Sequence, residues 1–435
     1  MKAPIRSALA AFALAWVSGF PAPRAAAADL YLQIQRGEKV MIALPGFVSK
    51  GPDEEQAALA KELHSVAKDD LLFSRLFNLI EEGPPVGEGK IDFPGWGERG
   101  ADLLAMANVK IDRPFSGKKE DSVRMIGSVF EAPGGNPVFQ KTYTISKKNA
   151  RKLPHEFVAD ILYRFTGNRG SSASRIAFVN DSTGSKELYL IDYDGANLRR
   201  VTRDGSIALL PRWSPDGKEI AYTTYRRGNP DLAVFSLENG TSRILSSRQG
   251  LNAAASYSPD GQSLVLTLSF QGAPSLYLID RAGKILRRLT RSRSAETSPS
   301  FSADGRRIVY VSDRPGWPQI YVMDSDGSNS TRLTFSGYCD APVWSPLGDK
   351  LAYSRGTRKG GHNIIVRDLA TGAELQLTSG AGSNENPSFS PDGRFLVFTT
   401  TRGGKRELYL TNLDGTVQRV LADIPGNCYT PSWSP

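Results

Sequence analysis

Three histidines, two cysteines and two Asp-x-Asp-Gly segments are the residues with the best claim to chemistry in this chain. A histidine serves as general base, proton shuttle or metal ligand only with partners placed to orient it. His64 falls mid-helix, His155 on a helix further on, and His362 in a Gly-rich loop. None has a second ligand four residues away or a Ser-Asp pair beside it. No G-x-S-x-G nucleophile elbow occurs anywhere. Asp192-Tyr193-Asp194-Gly195 and Asp324-Ser325-Asp326-Gly327 begin like calcium loops. A calcium loop closes on a Glu at its twelfth position, and here Arg203 and Phe335 stand there. These segments therefore read as turns. The residue types point away from catalysis, cofactors and metals, and towards binding.

The elements that hold these residues are short and turn-rich. The chain has 435 residues, 40% hydrophobic and 23% charged, with 42 Gly and 27 Pro, which suits several domains and many short strands. Lys2 and Arg6, then the apolar run Ala8 to Phe20, then Ala26-Ala27-Ala28, have the form of a cleaved secretory signal, residues 1–28. The mature chain is expected to begin near Asp29. With no Cys near that point it is expected to be released as a soluble periplasmic protein, not embedded in the membrane. Residues 1–28 carry Lys2, Arg6 and Arg24 and no acid, so the remainder carries +6 against +9 for the whole chain. That mild excess does not argue for nucleic acid. The densest basic stretch, Arg287, Arg288, Arg291 and Arg293, reads as a solvated strand end that resists sheet-to-sheet pairing.

A repeat dominates the second part of the chain. An aromatic-Ser pair recurs at Trp213-Ser214, Tyr257-Ser258, Phe301-Ser302, Trp344-Ser345, Phe389-Ser390 and Trp433-Ser434, the serines spaced by 44, 44, 43, 45 and 44 residues. A Pro stands two positions before the aromatic in five copies. A Gly follows three after the Ser in each complete copy, preceded by Asp except at Leu347. Asp-Gly supplies the turn between two antiparallel strands. An apolar second strand, a third strand, a second Gly turn and a short fourth strand ending near Leu-Thr complete a four-stranded blade, the period of a β-propeller. The second strand Ile176-Ala177-Phe178 has no aromatic-Ser strand before it, and Trp433-Ser434 has no second strand after it. Residues 429–434 are therefore expected beside residues 175–180, closing six blades over 175–435 with nothing fused beyond. Cys339 and Cys428 hold the same position in blades two apart. On a six-fold ring they lie about 120° apart, too far for a disulfide, so two free thiols are expected.

Residues 29–167 lack the repeat and read as a small α/β domain. Strands are expected at Val40–Phe47, Leu76–Glu81, Leu103–Val109, Val123–Glu131 and Val138–Ile145. Helices are expected at Asp53–Asp69, with acids in its first turn, and at Leu153–Phe165, whose Phe157, Val158, Ile161, Leu162 and Phe165 share a face. Residues 168–174, rich in Gly and Ser, read as a linker.

The residues two to five before each aromatic read as loops gathered at one mouth of the propeller channel, a fixed frame with variable content. Leu209, Tyr338 and Tyr429 are candidate anchors for a partner, with Asn252, Glu296, Asp340, Asn384 and Glu385 as a polar rim. Few aromatics are expected to be exposed there.

Several of these segments resemble the TolB family across nearly the whole mature chain. They are His155 on the last helix of the first domain, Phe165-Thr166-Gly167 and Arg175-Ile176-Ala177-Phe178, Trp96 with Gly100-Ala101-Asp102, and Pro431-Ser432-Trp433-Ser434-Pro435. Phe165 in place of Leu, and Ser171-Ser172-Ala173-Ser174 where an aromatic is usual, depart from the pattern. The resemblance implies a monomeric periplasmic component of the Tol-Pal system. Its propeller face binds the outer-membrane lipoprotein Pal, and its extreme N-terminus communicates with TolA of the inner-membrane Tol complex. Asp29, Leu30, Tyr31 and Leu32, within Asp29–Gln35, are expected to form a mobile arm that docks on TolA or folds back on the domain. The implied role is drawing the outer membrane inward at cell division and keeping it intact. The alternatives are a propeller associated with serine peptidase activity and a structural or lectin-like propeller.

Overall fold

The computed structural model describes residues 30–31, 33–34, 36–49, 51–87, 91–114, 120–358, 360–380 and 382–435. The expected signal peptide, Asp29 and Leu32 lie outside the described residues. Two compact units are present. One takes in the described residues to Leu153 with Arg164–Thr166, the other Pro154–Tyr163 with Gly167–Pro435.

The first unit is a mixed sheet with helices. In chain order it contains β1 (Val40–Ala43), β2 (Val48–Ser49), α1 (Glu54–Ser74), β3 (Phe77–Ile80), α2 (Phe93–Glu98), β4 (Leu103–Asp112), β5 (Ser122–Glu131) and β6 (Pro137–Ser146). The sheet order is β3-β1-β4-β5-β6, with β2 on β4. β1 runs parallel to β3 and β4, and β4, β5 and β6 form an antiparallel meander. α1 starts where Asp53 accepts the Gln56 N–H, with Glu54 and Glu55 complementing the helix dipole. It buries Ala60, Leu63, Ala67 and Leu71 at three- and four-residue steps. The stretch Val40–Phe47 breaks after Ala43 instead of running on as one strand. The short α2 has too few residues to show a period. Its Asp92 cap accepts the Gly95 N–H at 3.0 Å and sets Trp96 fully inside.

The second unit is a six-bladed β-propeller, each blade a four-stranded antiparallel sheet. The inner strands are Ala208–Trp213, Asn252–Tyr257, Glu296–Phe301, Cys339–Trp344, Asn384–Phe389 and Cys428–Trp433. The last of these pairs antiparallel with β7 (Arg175–Asn180), Trp433 opposite Ile176 and Cys428 opposite Asn180, so the expected closure is present. The repeat signature has a hydrogen-bond logic. Ser214, Ser258, Ser302 and Ser390 donate to Asp216, Asp260, Asp304 and Asp392 at 2.6, 2.6, 2.6 and 2.5 Å, across the turn each Asp helps to form. Where Leu347 replaces the Asp, Ser345 reaches one residue past the Gly to Asp349 at 2.9 Å. The Leu-Thr ends work as clips: Thr202, Thr290, Thr334 and Thr378 each accept a third-strand N–H at 2.9 Å. Apolar second strands of one blade pack on the inner strand of the next, as Ala177 and Val179 do with Trp213. Gly283, at φ 81°, lies so close to the Leu245 carbonyl of the neighbouring blade that a Cβ would collide with it.

Two expectations are corrected. The residues before each aromatic are not loops; they belong to the inner strands, and each strand carries a bulge there. The third residue before the aromatic (Leu210, Ala254, Ser298, Ala341, Asn386 or Thr430) takes a left-handed conformation, φ 44° to 56°. The Pro that follows in five copies cannot donate to the ladder, which a bulge tolerates. The Gly/Ser stretch 168–174 is packed, with Ser171, Ser172 and Ser174 buried and Ser174 Oγ accepting Trp433 Nε1–H at 2.7 Å.

Candidate partner-binding face

The bulges carry the fourth residue before each aromatic to one mouth of the channel. Loops joining second to third strands, and each blade to the next, open on the same face. There the expected anchors and rim residues separate into two groups.

Tyr338, Asp340 and Glu385 come together. They line a cavity of about 430 Å³ between the blades of Cys339–Trp344 and Asn384–Phe389, with His362 and Asn386. The Tyr338 ring stands edge-on to His362, centroids 5.7 Å apart. Glu385 lies 3.5 Å from His362 Nδ1, accepts from Ser383 Oγ and accepts from Arg406 at 3.2 Å. These contacts, His362 foremost, hold Glu385 down at about 2 despite its partial burial. The same contact raises the His362 pKa. Asp340 accepts the Ala341 N–H at 2.6 Å, and burial pushes its pKa up. Tyr429, half-buried, donates to Asp181 at 2.9 Å beneath the Lys186 and Arg406 cations. Leu209 occupies the equivalent bulge position in the adjoining blade and is half-buried.

Asn252, Glu296 and Asn384 are not rim residues. All three are fully buried, one position before the bulge residue that reaches the mouth. Asn252 accepts from Ser246 at 2.6 Å and donates to the Arg248 carbonyl at 2.6 Å. Glu296 holds Arg314 at 2.6 Å, and Asn384 accepts from Thr400 at 2.8 Å. They tie each inner strand to the rest of its blade or to the approach loop. The physical reason lies in the register: this position faces between strands, and its equivalents are the buried Ala208, Cys339 and Cys428.

The structure also adds what the sequence reading lacked. Trp317, Phe335 and Tyr338 are 53%, 72% and 46% exposed, which corrects the expectation of few exposed aromatics. Their loops are joined by the Cys339 N–H to the Pro318 carbonyl at 3.0 Å and by Gln319 to the Gly337 carbonyl at 2.5 Å. Pro-Gly-Trp-Pro at 315–318, a turn that lifts an aromatic to its tip, was the available signal. His362 and Arg406 were also missed as members of the face. The turn carboxylates Asp194 and Asp326 accept backbone N–H groups of Ala196 and Ser328, at 3.0 and 2.9 Å. Among the described residues no group of three or more His, Cys, Asp or Glu could hold a metal ion.

The model of the TolB beta propeller domain matches residues 162–435, and that of the TolB amino-terminal domain matches residues 30–118. The chain belongs to the TolB family. Tol-Pal system protein TolB of Desulfosudis oleivorans is 38% identical over 201 residues, 44% of each chain. Tol-Pal system protein TolB of Geobacter sulfurreducens is 41% identical over 173 residues, 38% of each. The chain thus spans less than half the length of these curated TolB relatives. The crystal structure of TolB from Acinetobacter baumannii is 26% identical, with a TM-score of 0.76 over 92% of this chain and 97% of that one. No helix among the described residues is long and apolar enough to cross a membrane.

Proposed function

We propose that this TolB-family chain is a periplasmic, protein-binding component of the Tol-Pal system, exported on residues 1–28, that docks the lipoprotein Pal on the propeller mouth and performs no chemistry itself. One observation carries the reading. Three exposed aromatics, Trp317, Phe335 and Tyr338, stand on hydrogen-bonded neighbouring loops, and Tyr338 lines the His362–Glu385–Asp340 cavity. Exposed aromatics next to a charged pocket supply the anchors and polar contacts that protein interfaces use. Membership of the family and the names of the relatives support the system. In the N-terminal segment Leu30 is buried and Tyr31 is 44% exposed. This segment, with one buried apolar residue and one outward aromatic, is the part we assign to TolA. Linking the two partners is the basis for a role in outer-membrane invagination and integrity.

The test is calorimetry with Pal lacking its lipid. Phe335→Ser combined with Tyr338→Asp should weaken binding at least about tenfold with unfolding unchanged. Undiminished affinity, or recognition of a glycan instead of Pal at these aromatics, defeats the proposal.

A further inference from the structure

One residue before each aromatic, the inner strands present Arg212, Ser256, Ser300, Val343, Ser388 and Ser432 to a cavity of about 250 Å³. All six blades contribute to its lining, so it lies on the ring axis. It is separate from the mouth cavity and shares no residue with it. No acidic side chain lines it, and Arg212 is the one cation among the described residues that do.

Arg212 is short of partners. Its guanidinium makes one hydrogen bond, Nη1 to the Pro211 carbonyl at 2.9 Å, and no carboxylate of the described residues lies within ion-pair distance. The side chain keeps some exposure because it borders the void. The protein around that void is deep enough for burial, with no opposing charge, to push its pKa down to about 10. A sequestered cation without a counter-charge is the arrangement proteins avoid, and every other guanidinium with a carboxylate at hand uses it, as Arg314 uses Glu296.

The serines point the same way. Ser256, Ser300 and Ser388 Oγ accept the N–H groups of Phe301, Trp344 and Trp433 at 3.3, 3.4 and 2.9 Å. Each hydroxyl has spent acceptor capacity on the next blade and donates to no acceptor among the described residues, so its proton remains to offer. The serines two positions later differ, since four of them donate to turn aspartates. The axial cavity is thus walled by donors and one fork-shaped cation.

We propose that the propeller channel binds a small oxyanion, a phosphate or carboxylate group, on the Arg212 guanidinium, with the Ser256, Ser300 and Ser388 hydroxyls completing its shell. Guanidinium presents parallel N–H donors to two oxygens of one group, the geometry that phosphates and carboxylates share.

The experiment is calorimetric titration of the full chain, purified free of phosphate, with inorganic phosphate, acetate and chloride at matched ionic strength. Saturable binding of phosphate or acetate, absent with chloride, is expected, and the tighter of the two identifies the source. Arg212→Gln should abolish it and leave the unfolding midpoint in anion-free buffer at or above that of the parent. Should Arg212→Gln fail to fold, Arg212→Lys keeps the charge without the fork and should weaken binding about tenfold. No saturable binding by either oxyanion, or binding undiminished in the substituted chain, overturns the proposal.

Discussion

Ser434 Oγ accepts the backbone N–H of Arg175 at 2.9 Å, joining residues 259 positions apart. One residue earlier, Trp433 Nε1 donates to Ser174 Oγ, and the indole is buried against the closing blade. Ring closure rests on these contacts. Trp433→Ala removes a large buried side chain and its hydrogen bond to Ser174, so it should cost about 3–5 kcal/mol in urea denaturation. A loss no larger than that of an exposed substitution such as Leu347→Ala would show that closure contributes little.

Glu296 and Arg314 form a pair with the acid wholly inside. Glu296→Ala removes the ion pair but leaves Arg314 bonded to Tyr310 and partly exposed, so it should lower stability by about 1–3 kcal/mol. Because Glu296 is fully buried, partner affinity of the molecules that remain folded should not change. Calorimetry below the unfolding range checks both.

The His362–Glu385 pair should make stability depend on pH from both sides. Glu385 has a folded pKa of about 2 against an ordinary 4.5, so its contribution is present above about 4.5 and is lost as pH falls towards 2. His362 is raised above 6.5, so its contribution is full below 6.5 and fades as pH rises through the higher folded value. Asp340 and Arg406 face the same ring, the first raising and the second lowering it. An NMR titration should place His362 above 6.5, and Glu385→Gln should bring it down. An unchanged midpoint in that variant would assign the shift elsewhere.

Both thiols are free and buried. Burial raises Cys339 and pushes Cys428 up to about 12. Neither should react with a disulfide reagent at pH 8 in the native protein, and both should after unfolding. Rapid native labelling of either would contradict the structure.

Thr430 is a β-branched residue held at φ 44°, where side chains crowd the backbone. Thr430→Gly should be neutral or stabilise by up to about 1 kcal/mol, whereas Gly at an extended inner-strand position such as Ser300 should destabilise. Thermal unfolding of the two variants compares them.

The blades were legible because two signals coincide in each. Strand alternation and Asp-Gly turn chemistry both follow from local physics and repeat with one period. The bulges were not, because left-handed backbone is announced by Gly or Asn, and only Asn386 among the six residues gives that sign. Asn252, Glu296 and Asn384 were placed at the rim because polar residues are usually exposed. Their alignment with Ala208, Cys339 and Cys428 in the repeat carried the opposite message. Trp317 and Phe335 lie outside the repeated frame, so no periodicity could select them. α2 was silent for a different reason: six residues do not complete two helical turns.

The strand Cys428–Trp433 comes after every other strand in the chain order, yet it is the innermost member of the first blade. While the polypeptide is being made, β7 therefore waits with one flank bare until about 250 further residues have arrived. Assembly of the disc cannot finish until Cys428–Trp433 has been made, and a chaperone that shields that flank during the wait would be covering an unpaired sheet edge of the incomplete protein.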